Sequence, residues 1–213
     1  MTQPRRQRQD SAQRRALIAE AALRVLGEHG PRGLTHRGVD AAAQLPSGSV
    51  NYHAPTRQRL LEMACDELFA RDMAVAARHF DTPESPSQSL AGIAGDFVLE
   101  MTAPHARHRV LARHHLLAEA RSNDELHRHF ETARAAFVQL IRDRYAEAGY
   151  TVDTTAAELC VTVIDGLVNR QVFFPDSALP ESRIRTIIEA AAHTIETQFL
   201  DKPSGRGSTA SPP

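Results

Sequence analysis

Tryptophan is missing from this sequence, aromatic residues make up only 5% of it, and cysteine occurs twice, at Cys65 and Cys160. Both cysteines fall on apolar helical faces, where a cysteine serves as a small buried hydrophobe; a disulfide or a shared metal is the alternative. No run approaches the roughly 20 apolar residues of a membrane-spanning helix. The N-terminal stretch MTQPRRQRQDSAQRR is basic but lacks the apolar centre of a secretion signal, so a cytoplasmic protein is expected. No nucleophile elbow, phosphate-binding loop, dinucleotide fingerprint or HExxH motif occurs, which points away from an enzyme and implies no cofactor. No segment of any length alternates with period two, so essentially no sheet is expected.

What is present suits a globular helical protein. With 213 residues, 42% hydrophobic and 24% charged, the chain is long enough to bury a substantial core. Its net charge of −1 hides an asymmetry. Residues 1–60 carry ten arginines, no lysine and four acids, a net +6 that leaves −7 on the remainder. A basic N-terminal segment on an acidic body points to a polyanionic partner for that segment alone.

Residues 1–11 are Arg- and Gln-rich and aperiodic, and read as a disordered basic arm. A helix is expected from Ala12 to His29, where Leu17/Ile18, Ala21/Ala22 and Val25/Leu26 form a broad apolar stripe, ended at Gly30. Thr35 can cap a short second helix. Gln44-Leu45-Pro46 breaks that helix, and another short one follows at about Ser47–His53 before Pro55. Two short helices joined by a tight turn can lay one helix in a DNA major groove. A long helix over Thr56–Phe80 leads to the Pro- and Ser-rich break at 81–87. Five further helices follow, at about 89–101, 104–120, 124–148, 154–174 and 180–200. Residues 202–213 read as a disordered tail. The expected fold is all-α, with about nine helices: a three-helix helix-turn-helix domain at 12–60 and a helical ligand-binding and dimerisation domain at 61–201.

Over Leu34–Leu61 the residues Thr35, Gly48, Ser49, Val50, Asn51, Tyr52, His53, Ala54, Arg57 and Leu60 resemble the recognition unit of the TetR family of one-component transcriptional regulators. Ile164-Asp165-Gly166-Leu167 on the penultimate helix is a weaker likeness. Three positions depart from the family pattern: Gln44 stands for a turn glycine, Asn51 for an aromatic residue, and Ala54 for a phenylalanine that packs the recognition helix on the next.

Candidate DNA contacts follow. Thr35, at a helix N-terminus, can bind a phosphate or act as a cap alone. Ser47, Ser49 and Asn51 are the base-edge readers, Asn51 through adenine. Arg37 can reach a base or a phosphate, with His36 on the same surface. The resemblance turns Tyr52 and His53 to the DNA backbone, the alternative for Tyr52 being packing on the first helix. It also makes Arg57 a phosphate clamp, where a solvated charge is the alternative.

The resemblance further implies a dimer on a palindromic double-stranded operator, and a small-molecule pocket within 89–174 whose effector the sequence does not name. Phe97, Met101, Leu116, Phe137 and Phe173 are the apolar candidates for that pocket and His115 the polar one; plain core is the alternative. Ile164, Leu167, Val168, Ile184, Ile187, Ile188, Ala191 and Ile195 are the dimer candidates, unless they form internal core. Six histidines lie between 105 and 129. The His105/His108 pair lacks a Cys or carboxylate at ligand spacing, so no metal site is assigned. The function read from the sequence is a ligand-responsive repressor. The alternatives are an all-helical metal- or ligand-binding protein using the histidine-rich 105–129 region without DNA binding, and a helical interaction protein.

Overall fold

The computed structural model describes residues 3–80 and 89–201, with side chains for 10–80 and 89–199. The expectations for 81–87 and 202–213 lie outside the described residues. Nine α-helices run through the described residues: α1 (Gln3–Gly33), α2 (His36–Ala42), α3 (Ser49–His53), α4 (Arg57–Phe80), α5 (Leu90–Thr102), α6 (Arg107–Ala120), α7 (Asp124–Glu147), α8 (Thr154–Phe173) and α9 (Glu181–Gln198). The one strand pair among them is two residues long on each side, β1 (Thr151–Val152) antiparallel to β2 (Leu200–Asp201).

Local chemistry explains most helix ends. Thr35, Ser89, Asn123 and Asp153 each sit in extended backbone and accept a hydrogen bond from an N–H of the first turn. Gly30 interrupts α1 with φ 68°, and Gly149 follows α7 with φ 86°. The N-terminal end of α1 corrects the sequence reading. Residues 3–11, expected to be a disordered arm, are helical, and Arg and Gln are good helix formers.

Two apolar clusters form the interior. The first gathers Ile18, Leu23 and Leu26 of α1, Val39 of α2, Val50 and Ala54 of α3, and Leu60, Leu61, Met63, Ala64, Cys65 and Leu68 of α4. It is completed by Ala112, Leu116 and Ala120 of α6 and Leu126 of α7. The second starts at Val75 of α4 and is enclosed by α5, α7, α8 and α9. The division therefore falls inside α4, beyond Leu68, and α6 serves both clusters. Leu17, placed on the inward stripe by periodicity, is 41% exposed; Leu23 is buried in the same helix.

Cys65 is buried in the first cluster and Cys160 half-buried in the second, and both are free. Burial pushes the Cys65 thiol up to about 12 and raises that of Cys160 as well. Both behave as small hydrophobes. No helix of the described residues is long and apolar enough to cross a membrane.

The crossing of α1 over α6 depends on Gly27. A Cβ built there would stand 2.1 Å from the His108 carbonyl oxygen, so the two backbones touch. Gly27→Ala forces the helices apart and is expected to lower stability by about 2 kcal/mol despite its better helix propensity, as read by urea unfolding. At the same crossing, burial and then Arg109 lower the His108 pKa below 6.5. Below that pH the unfolded chain binds more protons than the folded one, so stability is complete above pH 6.5 and lost as the pH falls. His108→Gln is expected to flatten the decline as the pH falls below 6.5 in the same measurement.

Candidate functional site

The short helices α2 and α3 are held together by backbone and by one buried carboxylate. After α2, the Gln44 N–H donates to Ala41 O at 3.2 Å and the Leu45 N–H donates to Asp40 O at 2.9 Å, a closed helix end in which the residue after the cap is left-handed. That residue is Gln44, with φ 57°, the one non-glycine among the described residues at positive φ. Asp40 itself is 4% exposed. Its Oδ2 accepts from the Gly48 N–H at 2.8 Å and its Oδ1 from the Val50 N–H at 2.9 Å. A carboxylate at the positive end of α3 satisfies donors that the helix cannot, and fixes α3 against α2. Sequence reasoning missed Asp40; the available signal was an acid eight residues before a glycine that opens a helix without a side-chain cap.

Other residues of the unit are also engaged within it. His36 Nε2 lies 2.6 Å from Ala54 O, and since a carbonyl only accepts, Nε2 carries the proton. The departure at Ala54 is thereby accommodated: the residue is fully buried and its carbonyl is tied back to α2. Ser49 Oγ donates to Pro46 O at 2.6 Å. Thr35 Oγ1 accepts from the Gly38 N–H at 3.0 Å. Arg24 of α1 donates to Ala42 O.

Ser47, Asn51, Tyr52 and Arg37 point outward. All four are exposed, Tyr52 by 84%, and Arg37 has no ionic partner among the described residues. Tyr52 does not pack on α1; its ring meets His53 edge-on at 5.0 Å. The His53 pKa is lowered by burial first and then by Arg15 and Arg14. These two arginines of α1 therefore lie on the same side as the end of α3, a neighbourhood that linear order does not show.

Arg57 departs from its expected clamp role. At the start of α4 it makes a two-pronged ion pair with Glu119 of α6, at 2.7 and 3.3 Å. Beside it, the Gln58 and Asn123 side-chain amides are hydrogen bonded at 2.6 Å. The geometry makes this the fastening between the α2–α3–α4 unit and α6.

A cavity of about 360 Å³ opens among α4, α5, α6, α7 and α8. Three of the pocket candidates, Phe97, Met101 and Phe137, line it. Three other pocket candidates lie elsewhere. Leu116 is buried in the first cluster because α6 turns that face to α1. His115 sits beside Gly30 of α1. Phe173 is 38% exposed and packs on the His114 ring at 4.2 Å. Sequence reasoning missed Phe69, Phe130, Arg113, Arg134 and Asp165 in the cavity wall.

Among the dimer candidates, Leu167, Val168, Ile184, Ile188 and Ile195 are buried in this chain's own second cluster. The inward stripes of α8 and α9 occupy them, which corrects their assignment to a partner. Ile164, Ile187 and Ala191 are half-buried, and Ile164 borders the cavity. Gly166 has no atom within 4 Å of a built Cβ. The histidines of 105–129 are dispersed, and no group of three His, Cys, Asp or Glu among the described residues is arranged to hold a metal.

Residues 85–194 match the family model described as tetracyclin repressor-like, C-terminal domain. The chain belongs to the TetR family. A TetR-family member from Streptomyces coelicolor A3 is 28% identical with a TM-score of 0.68, over 84% of this chain and 97% of that one. The multidrug binding protein EbrR, complexed with imidazole, is 28% identical with a TM-score of 0.61, over 91% and 98%. A transcriptional regulator from Rhodococcus sp. Rha1 shares the fold, with a TM-score of 0.72 at 16% identity over 89% and 99%. No curated protein matches the chain. TetR regulators are transcription factors that bind DNA, are typically dimeric and take small-molecule ligands. In this TetR regulator α1–α4 form the helix-turn-helix region and α5–α9 the helical body.

Two substitutions test the joint between α2 and α3. Asp40→Ala leaves two N–H groups without their acceptor and is expected to cost about 2–3 kcal/mol of stability, with Asp40→Asn losing less. Gln44→Gly relieves the left-handed backbone and is expected to gain about 1 kcal/mol. Urea unfolding of each variant is the measurement.

Proposed function

We propose that this chain is a ligand-responsive transcriptional repressor that binds a palindromic operator as a two-fold dimer. The observation that carries the reading is the outward face of α3. It presents Asn51 and Tyr52 to solvent from a helix pinned at both ends, on the basic part of the chain. In this reading Asn51 and Ser47 meet base edges, while Thr35, Arg37, Tyr52 and His53 meet phosphates and sugars. Ser49 and His36 serve the unit from within. Arg57 takes part only where a phosphate outcompetes Glu119.

One unit offers few contacts, so a dimer with two half-sites is required for tight binding. The outward parts of α8 and α9 suit that interface. Ile187 and Ala191 are half-buried there, and Gly166 leaves room for close helix approach. The cavity is the effector site, and the likeness to a multidrug binding protein favours a small organic molecule. Its walls include α4 and α6, which also build the first cluster, so occupancy of the cavity and placement of α3 share structural elements.

Footprinting on flanking DNA is expected to show a symmetric protected site. Asn51→Ala is expected to lower operator affinity at least about tenfold while retaining salt-dependent non-specific binding. Arg37→Ala is expected to weaken binding to all sequences and flatten the salt dependence. Undiminished binding by an Asn51→Ala/Tyr52→Ala double variant of intact circular dichroism sinks the contact assignment. Sedimentation of Gly166→Arg as a monomer is the expected outcome for the interface.

A further inference from the structure

We propose that Glu119 of α6 is an autoinhibitory latch on Arg57: its carboxylate occupies the guanidinium face with which Arg57 grips a DNA phosphate, and so holds operator affinity below what the basic unit can deliver. This rests on the reading of α3 and its flanks as the DNA-contacting surface, and it adds a residue of the helical body that restrains that surface.

Arg57 opens α4 four residues after His53 closes α3. Four residues span at most about 14 Å, so Arg57 belongs to the end of α3 where Tyr52 and His53 stand and which Arg14 and Arg15 of α1 flank. Among the described arginines of residues 10–60, Arg57 is the one held by a carboxylate of another helix. Arg59 pairs within α4, with Glu62.

The pairing has the form of a phosphate grip. Arg57 Nη2 and Nη1 donate to Glu119 Oε1 and Oε2, at 2.7 and 3.3 Å. A phosphate offers a guanidinium the same two-oxygen edge, so Glu119 and DNA compete for one set of donors. The hydrogen bond to Arg57 lowers the Glu119 pKa below the ordinary carboxylate value, and the same bond raises that of Arg57. Both partners are therefore charged at neutral pH, where the latch is closed.

The joint between α4 and α6 holds without this pair. Gln58 and Asn123 exchange two hydrogen bonds beside it, at 2.6 and 3.3 Å. Leu60, Leu116, Ala120 and Leu126 are buried together in the first cluster. The Arg57 side chain is 46% exposed and that of Glu119 28%, and an ion pair so open to water contributes little stability. Exchange of the carboxylate for a phosphate therefore costs the fold little. Glu119 rides on α6, two residues beyond Leu117 of the cavity wall. A shift of α6 changes the reach of the carboxylate, and with it the share of Arg57 available to DNA.

The test is binding of the full chain to the footprinted operator duplex, read by fluorescence anisotropy over a range of salt concentrations. Glu119→Gln is expected to tighten binding at least about threefold at low salt. It is also expected to steepen the slope of log K against log salt by about 0.9 per protomer, the mark of one added phosphate contact. In an Arg57→Ala background the same substitution is expected to move neither reading. Glu119→Asp keeps the charge but withdraws it by one methylene. It is expected to tighten binding about twofold, and it carries the test should Glu119→Gln not fold. Unchanged or weaker binding by the Glu119 variants overturns the proposal, because a purely structural pair gives that result. An equal gain in the Arg57→Ala background also overturns it, because that marks a general effect of charge. A parent chain that binds no operator overturns the repressor reading and the latch together, whereas a parent chain that binds and gains nothing from the substitutions overturns the latch alone.

Discussion

The carboxylate of Asp40 is the contact on which the DNA-reading unit depends. A helix of five residues does not persist in isolation, because nucleation costs more than so few hydrogen bonds return. α3 persists because Asp40 accepts its leading N–H groups and His36 ties down the carbonyl at its far end. Both restraints come from α2. The outward side chains of α3 take no part in holding it, which leaves Asn51 and Tyr52 exposed to solvent. The strained backbone at Gln44 and the left-handed Gly48 serve the same joint, since they turn the chain sharply enough for the carboxylate to reach.

The rest of the molecule carries that unit on α4 and α6. α4 runs from the Arg57–Glu119 ion pair to the second cluster, and α6 crosses α1 at Gly27 with backbone in contact. Ala112, Leu116 and Ala120 of α6 lie in the first cluster, while Val110 and Arg113 of the same helix border the cavity. A displacement of α6 by an occupant of the cavity is therefore also a displacement within the core of the N-terminal unit. Close-packed interiors transmit such shifts rather than absorbing them.

The helical plan was legible because its punctuation is chemical and local. Thr35, Ser89, Asn123 and Asp153 cap helices where their side chains compete for free N–H groups, and glycines and prolines end helices where backbone freedom or a missing donor requires it. The second short helix and the long fourth one were readable on that basis. The assignment of inward residues to particular neighbours was not. Leu116 and His115 sit near pocket residues in the chain, yet α6 turns them toward α1. Leu167, Val168 and Ile184 belong to a stripe whose periodicity is the same whether it faces a partner or its own core. Asp40 was missed because its only signal, a glycine opening an uncapped helix eight residues on, lies beyond the range over which capping and periodicity act.

Composition and short-range order were enough to determine an all-α chain, a basic N-terminal segment and two short helices joined by a tight turn, because charge, capping and periodicity act within a few residues. Tertiary structure decided the rest. It selected Asp40 as the clasp, took Arg57 into an ion pair with Glu119, and gathered Phe69, Phe130, Arg113, Arg134 and Asp165 around one cavity. Those contacts join residues far apart in the chain, and such neighbours are chosen by the packing of helices against one another, which no local pattern encodes.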